Sequence, residues 1–318
     1  MHNAVILDAD SLGPKDLDLS PLLDQVEHWE IHGTTNMKER LTRCQNAELI
    51  VSNKVLLDEE LISACPQLKL ILIAATGSNN VDLKAAKKHG VRVCNVAGYG
   101  TASVAQHCWA MILNLATQLN RYHQACREGH WSQSPFFCML DFPITELSGK
   151  TLGIIGHGSI GKAVADIGKA FGMQILIAAR KGEAAQPPRV DFNKLLEQSD
   201  VISLHCPLNE DTVSLISKAE LAVMKNSALL INVSRGGLID EAALQDALES
   251  NQVAGAALDT LSQEPPPADH PLLHLNDQNL LLSPHSAWGS REARQRLLNI
   301  MAANLESFLA GREQNVLA

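Results

Sequence analysis

The sequence predicts an α/β protein built from two doubly wound parallel-sheet domains with a cleft between them. Short apolar runs alternate with segments of helical period along the chain. The alternation occurs twice, starting afresh at Thr151, and the runs of the second series pass into helices or into turns rich in Gly, Pro or Asn. In the first series "AVILDA", "VEHWEIH", "AELIVSN", "LKLILIAA" and "VRVCNV" are predicted strands, with "MKERLTRC", "DEELISAC" and "DLKAAKKHG" as the intervening helices. The stretch "TASVAQHCWAMILNLATQLNRYHQACREGHW" has apolar residues at helical spacing and opens on Thr and Ser cap candidates, so it reads as one long helix bridging the domains. The second series supplies "TLGIIG", "QILIAA", "DVISLHC", "ALLINVS", "VAGAALD" and "NLLLSP" as strands. The tail "SREARQRLLNIMAANLESFLAG" is a further helix; returning to the first unit, it makes that domain discontinuous. The expected boundaries are 1–100 with 290–318 for one domain and 101–289 for the other.

Composition narrows the class of function. A chain of 318 residues, 46% hydrophobic, can bury two cores. The longest apolar run, "LKLILIAA", is far short of the roughly 20 residues that span a bilayer. The start "MHNAVILDAD" lacks the charged segment and cleavage site of a signal peptide, so no membrane partner and a cytoplasmic location are expected. With a formal net charge of -9 and no basic cluster interleaved with aromatics, nucleic acid is not an expected partner. The seven cysteines are widely spaced with no C-x-x-C pair, which argues against a disulfide framework and against a metal site.

In "GHGSIG", Gly156 allows a tight turn, Gly158 lets backbone approach a pyrophosphate and Gly161 lets the helix pack closely on the strand. Preceded by "LGII" and followed by "KAVADIGKAFG", this is a Rossmann-like dinucleotide loop that sets phosphates at a helix N-terminus. Methyltransferases use a related turn, but the later residues do not support them. The next strand runs into "ILIAARKG", where Ala179 stands in place of the usual acidic residue and Arg180 and Lys181 follow. A carboxylate there would accept bonds from the adenosine ribose and repel a 2′-phosphate. Its absence favours NADP(H), with Arg180 and Lys181 reaching the phosphate; NAD(H) use stays open, since Glu183 could reach the ribose.

Three further segments end strands of the second series: "INVSRGGLID", "ALDTLSQEPPPADHPLL" and "LLSPHSAWGS". Ligands of open α/β sheets bind outside the carboxyl ends of strands, so Arg235, Asp259, Glu264 and His285 can converge there. Hydride transfer from a nicotinamide to a carbonyl also needs a proton, which a histidine supplies near neutral pH. His285 is read as that acid, Glu264 as the carboxylate that stabilises its imidazolium, and Arg235 as the fork that holds an anionic substrate. Trp288 either caps the substrate pocket or packs at a helix start.

These segments, together with "AATGSNNVD" and "VCNVAGYGTASVAQH", resemble the D-isomer-specific 2-hydroxyacid dehydrogenase family over essentially the whole chain, and within it the glycerate dehydrogenases that reduce hydroxypyruvate and glyoxylate. The resemblance implies a flavodoxin-like substrate-binding domain at 1–100 and 290–318 and a dinucleotide-binding domain at 101–289. It implies Arg235, Glu264 and His285 as catalytic residues, and Thr76 and Gly77 as backbone donors to a substrate carboxylate. Thr101, Ser159, Ile160, Pro207, Thr212, Val233, Ser234 and Asp259 would line the cofactor site, Asp259 at the nicotinamide carboxamide. A homodimer is also implied. Gln106 stands where many members carry Glu, and Ala179 where NAD-using members carry Asp. Two relatives within the family fit less well: the chain stops soon after its last helix, with no room for the regulatory extension of many phosphoglycerate dehydrogenases, and "SPHS" lacks the glutamine of formate dehydrogenases. The product expected is a D-2-hydroxy acid. The rival reading is a dinucleotide-sensing, corepressor-like binding module on the same fold.

Overall fold

The computed structural model describes residues 3–275 and 279–318. The chain divides into two compact units, Met1–Gly100 with Gly289–Ala318, and Thr101–Trp288.

The first unit carries five parallel strands, β1 (Asn3–Ile6), β2 (His28–Ile31), β3 (Leu49–Ser52), β4 (Leu70–Ile73) and β5 (Arg92–Cys94), in the order β2-β1-β3-β4-β5. This is the flavodoxin-like winding, with its switch point between β1 and β3. The sequences LIVS and LILI of β3 and β4 are buried at every position, as a parallel sheet covered on both faces requires, whereas HWEI of β2 lies at the edge and is largely exposed. Aspartates start the helices: Asp58 accepts from Leu61 N and Asp82 from Ala85 N, each satisfying a donor the helix leaves unpaired. The tail folds as the helix Arg291–Leu309, capped by Ser290, and packs within this unit against β4 and the short helix Ser20–Leu23.

The second unit holds seven parallel strands: β6 (Thr151–Ile155), β7 (Gln174–Ala178), β8 (Arg189–Val190), β9 (Val201–Leu204), β10 (Leu229–Asn232), β11 (Gly255–Leu258) and β12 (Leu280–Leu282). Their order is β12-β11-β10-β9-β6-β7-β8, the dinucleotide-binding winding with one added strand. The sequence reading did not include β8, a two-residue edge strand paired with the end of β7. The stretch from Thr101 to Trp131 is three helices, Thr101–Thr117, Leu119–Arg127 and His130–Gln133. Gln118 breaks the first with φ 55°, its amide returning to Leu115 O at 2.8 Å, and Gly129 breaks the second with φ 86°. The apolar period survives the breaks, so it gives no sign of them. Trp109 of the first helix donates to Val164 O and stacks on Phe171 at 4.7 Å.

Candidate active site

The switch point of the second sheet lies between β6 and β9, and the glycine loop follows β6. Each glycine of that loop meets a different constraint. Gly156 has φ 94°, and a Cβ on it would lie 2.4 Å from Cys206 N, so the turn after β6 touches the chain leaving β9. A Cβ on Gly161 would lie 2.1 Å from Gly156 O, which seats the helix Ser159–Ala170 against the turn. A Cβ on Gly158 would meet no protein atom within 4 Å. Chain packing therefore does not demand glycine at 158, whereas close approach of a ligand to the backbone does. The helix has no side-chain cap, which leaves its first N–H groups to an anion. These features fit a dinucleotide, whose phosphates Gly156, Gly158, Ser159, Ile160 and Gly161 would hold.

Neighbouring loops of the same unit complete that edge. After β9, Thr212 Oγ1 donates to Pro207 O at 2.7 Å and closes the loop 207–212. Ser234 Oγ donates to Cys206 O at 2.8 Å, and Val233 is buried beneath. Thr101 opens the first helix. His205 is largely buried; its Nε2 lies 2.9 Å from Ser203 Oγ, its Nδ1 has no partner among the described residues, and burial pushes the imidazole down to about 4.

At the end of β7 the two basic residues separate. Arg180 points outward, 84% exposed, with Glu183 at 3.6 Å. Lys181 instead reaches Glu220 Oε1 at 2.8 Å, in the capping box of the helix Lys218–Val223. Burial alone would raise the Glu220 carboxyl, but hydrogen bonds from Lys181 and Ser217 hold it below its ordinary value. Lys181 thus has a buried carboxylate partner at hand, whereas the partner of Arg180 is exposed. Arg189 on β8, which the sequence reading did not single out, donates to Ala178 O at 2.8 Å and brings a guanidinium next to Ala179.

Arg235, Glu264 and His285 lie in the segments that follow β10, β11 and β12. His285 Nδ1 is 2.7 Å from Glu264 Oε2, and Glu264 Oε1 accepts from Leu261 N at 3.1 Å. The pairing orients the ring, leaving Nε2 as the nitrogen that faces away from Glu264. Arg235 is exposed, and with Glu264, Leu208, Gly236, Gly237, Thr260, Leu261 and Ser262 it lines a cleft of about 280 Å³. Gly236 explains the spacing of "SRGG": a Cβ there would lie 1.9 Å from Leu261 C, so the Arg235 loop sits directly on the loop bearing Glu264.

His285 has φ 52°, a left-handed conformation that costs roughly 1–2 kcal/mol for a residue with a Cβ. Its N–H donates to Asp259 O at 2.8 Å and Ser283 O at 3.0 Å. Asp259, 1% exposed, accepts from Ser286 N and Ala287 N at 2.9 and 3.0 Å, so its carboxylate holds the turn after His285. Trp288 is half-buried against the core, and its indole donates to His285 O at 2.9 Å. In the first unit, Thr76 Oγ1 donates to Val96 O and Thr76 O accepts from Asn95 Nδ2, both at 2.7 Å, which fixes the loop leading into Gly77. Among the described residues no group of three His, Cys, Asp or Glu is placed to hold a metal, and no helix is long and apolar enough to cross a membrane.

A glycine loop at the switch point and a histidine hydrogen-bonded to a carboxylate at strand ends of the same sheet place the protein among the nicotinamide-dependent α/β oxidoreductases. Residues 109–287 match the model of the D-isomer specific 2-hydroxyacid dehydrogenase NAD binding domain. The chain is 40% identical to a hydroxypyruvate reductase of Blautia hydrogenotrophica, over 98% of both chains, and 41% identical to a glycerate dehydrogenase of Methylorubrum extorquens, over 91% of both. Its structure is similar to that of an acyclic imino acid reductase solved with NADPH and D-Arg, with TM-score 0.85 and 30% identity over 99% of this chain and 100% of that one. The chain belongs to the D-isomer specific 2-hydroxyacid dehydrogenase family.

Proposed function

We propose that this protein reduces hydroxypyruvate or glyoxylate to the D-2-hydroxy acid, with His285 as proton donor. The observation that carries the reading is the 2.7 Å pair between His285 and Glu264 on the sheet that bears the glycine loop. The nicotinamide supplies hydride to C2 of the oxo acid when bound. His285 delivers a proton to the oxygen, Glu264 steadies the imidazolium, and Arg235, sharing the cleft with Glu264, holds the carboxylate and polarises the carbonyl. Relatives named hydroxypyruvate reductase and glycerate dehydrogenase support this substrate class.

NADP(H) is the favoured cofactor. Ala179 carries no charge to repel a 2′-phosphate, while Arg180 is presented outward and Arg189 stands beside Ala178. The acyclic imino acid reductase, solved with NADPH, supports this choice. The working form is a homodimer in the cytoplasm. Leu119, Trp131, Phe136, Phe137 and Leu140 are all more than half exposed, an apolar surface of the kind that marks an association site.

The deciding assay follows nicotinamide absorbance with hydroxypyruvate, glyoxylate, pyruvate and phenylpyruvate against NADPH and NADH. His285→Ala should lose at least ~100-fold in kcat while nucleotide affinity stays within about twofold. No turnover on any oxo acid, with nucleotide still bound, would overturn the reading in favour of a binding module.

A further inference from the structure

We infer that His107, on the helix Thr101–Thr117, is a positioning residue for His285 and acts through the hydroxyl of Ser283. The inference rests on reading His285 as the proton donor. Ser283 Oγ lies 2.5 Å from Asp259 Oδ1 and 2.9 Å from His107 Nε2. A hydroxyl has one proton, and a carboxylate can only accept. The Ser283 proton therefore goes to Asp259, and His107 Nε2–H must be the donor to the Ser283 lone pair. Neutral imidazole in that tautomer and imidazolium both carry this proton, so the bond persists in either state of His107.

The chain of donors ends on the turn that presents His285. Asp259 Oδ1 also takes the Ser286 N–H, Oδ2 takes the Ala287 N–H, and the carbonyls of Asp259 and Ser283 share the His285 N–H. Ser283 and Asp259 thus hold His285 from both sides, and a left-handed histidine persists only where its surroundings over-determine it. His107 adds a point of attachment from outside that turn. Val104, Ala105, Cys108 and Trp109 of its helix are buried in the core of the unit, so the helix is a firm reference for the imidazole. His107 Nε2 also lies 3.5 Å from Asp259 Oδ1, too far to replace the serine as the link. Without the His107 donor, Ser283 can turn its hydroxyl away from Asp259, and the His285 ring loses its register with Glu264.

The test uses the full chain with NADPH and hydroxypyruvate, comparing His107→Leu, His107→Gln, Ser283→Ala and the double variant His107→Leu/Ser283→Ala. His107→Leu should lower kcat by ~10- to 100-fold with KM for the oxo acid within about twofold, because a misplaced proton donor costs most in the transition state. Glutamine places an amide nitrogen the same number of bonds from Cβ as His Nε2, so His107→Gln should recover most of the loss. The double variant should be no worse than Ser283→Ala alone, since the two groups act in series. Unchanged kcat in His107→Leu, multiplied losses in the double variant, or a glutamine variant as impaired as the leucine one would each overturn the inference. A second readout needs no turnover. The ¹H–¹³C resonance of the His285 ring in the nucleotide-free protein should shift in His107→Leu and hold in His107→Gln. If the wild type reduces no oxo acid, the functional reading fails, and the ring resonance alone then decides the network. Should the leucine variant not fold, Ser283→Ala against Ser283→Thr, which keeps the hydroxyl, reads the same link.

Discussion

Replacing Arg180 by alanine removes a guanidinium that is 84% exposed and loosely paired with Glu183, whereas replacing Lys181 removes an ammonium 2.8 Å from a Glu220 carboxylate only 8% exposed. A charge-assisted hydrogen bond to a phosphate is worth about 1.5–3 kcal/mol, and solvent screening at a site as open as Arg180 holds the value at the low end. Arg180→Ala should therefore lower kcat/KM for NADPH about tenfold and leave NADH within about twofold. For Lys181, binding a 2′-phosphate would mean leaving Glu220, so gain and loss nearly cancel, and Lys181→Ala should change NADPH use by less than about threefold. Its effect falls on stability instead. Glu220 keeps its two bonds from Ser217, but losing the lysine should cost about 1–2 kcal/mol, a drop of about 2–8 °C in Tm for a domain of this size. Initial rates with both nucleotides at low salt, alongside thermal melts, read both effects. At about 1 M salt the Arg180 contribution should shrink, because the screening length falls to about 3 Å. Equal losses with the two nucleotides in Arg180→Ala, or a larger NADPH loss in Lys181→Ala, would refute this division of labour.

Three further outcomes follow from the site. Glu264→Gln keeps the shape of the side chain but removes the carboxylate 2.7 Å from His285, so kcat for oxo-acid reduction should fall by about 10- to 100-fold with nucleotide affinity unchanged; an unchanged kcat would contradict the pairing. His205 is held neutral by burial, pushed down to about 4 from an ordinary 6.5, so between those values the unfolded chain binds a proton that the folded chain does not. Stability should fall as pH drops through that window, by at most about 3 kcal/mol, and urea titrations at pH 7 and pH 4.5 should show His205→Gln losing less than wild type; parallel losses would remove His205 from the account. Gly161→Ala would place a Cβ 2.1 Å from a backbone oxygen and Gly158→Ala would meet no protein atom, so melting should punish the first and nucleotide titration the second. The reverse pattern would mean that Gly158 is structural.

The parts of this protein that sequence alone determined are those written in short spans. Short, mostly apolar runs mark β3, β4, β9 and β10, whose burial on both faces favours apolar side chains and admits a polar one, such as Ser203 or Asn232, only where it is hydrogen-bonded. The glycine loop was likewise legible as a short G-x-G-x-x-G spacing between a strand and a helix, although Gly156 answers to the distant Cys206 and a Cβ on Gly158 would meet no protein atom within 4 Å. The segments carrying Arg235, Glu264 and His285 could be assigned to strand ends because each follows an apolar run directly. What the tertiary structure decided depends on groups far apart in the chain or on conformations that residue type does not dictate. Nothing about Gln118 announces a left-handed break, because helical period continues through it. Lys181 and Arg180 are neighbours with the same charge, and only the approach of Glu220, 39 positions on, gives them different roles. His107 and Ser283 lie 176 residues apart, and neither belongs to a spacing that would pair them. Packing the first helix against the sheet brings them within 2.9 Å, and the single proton of a serine hydroxyl then orders the donors from His107 through to Asp259. Local pattern chose the elements and the reactive residue types; directional contacts between distant side chains, which exist only once the sheet is wound, chose how those residues are held.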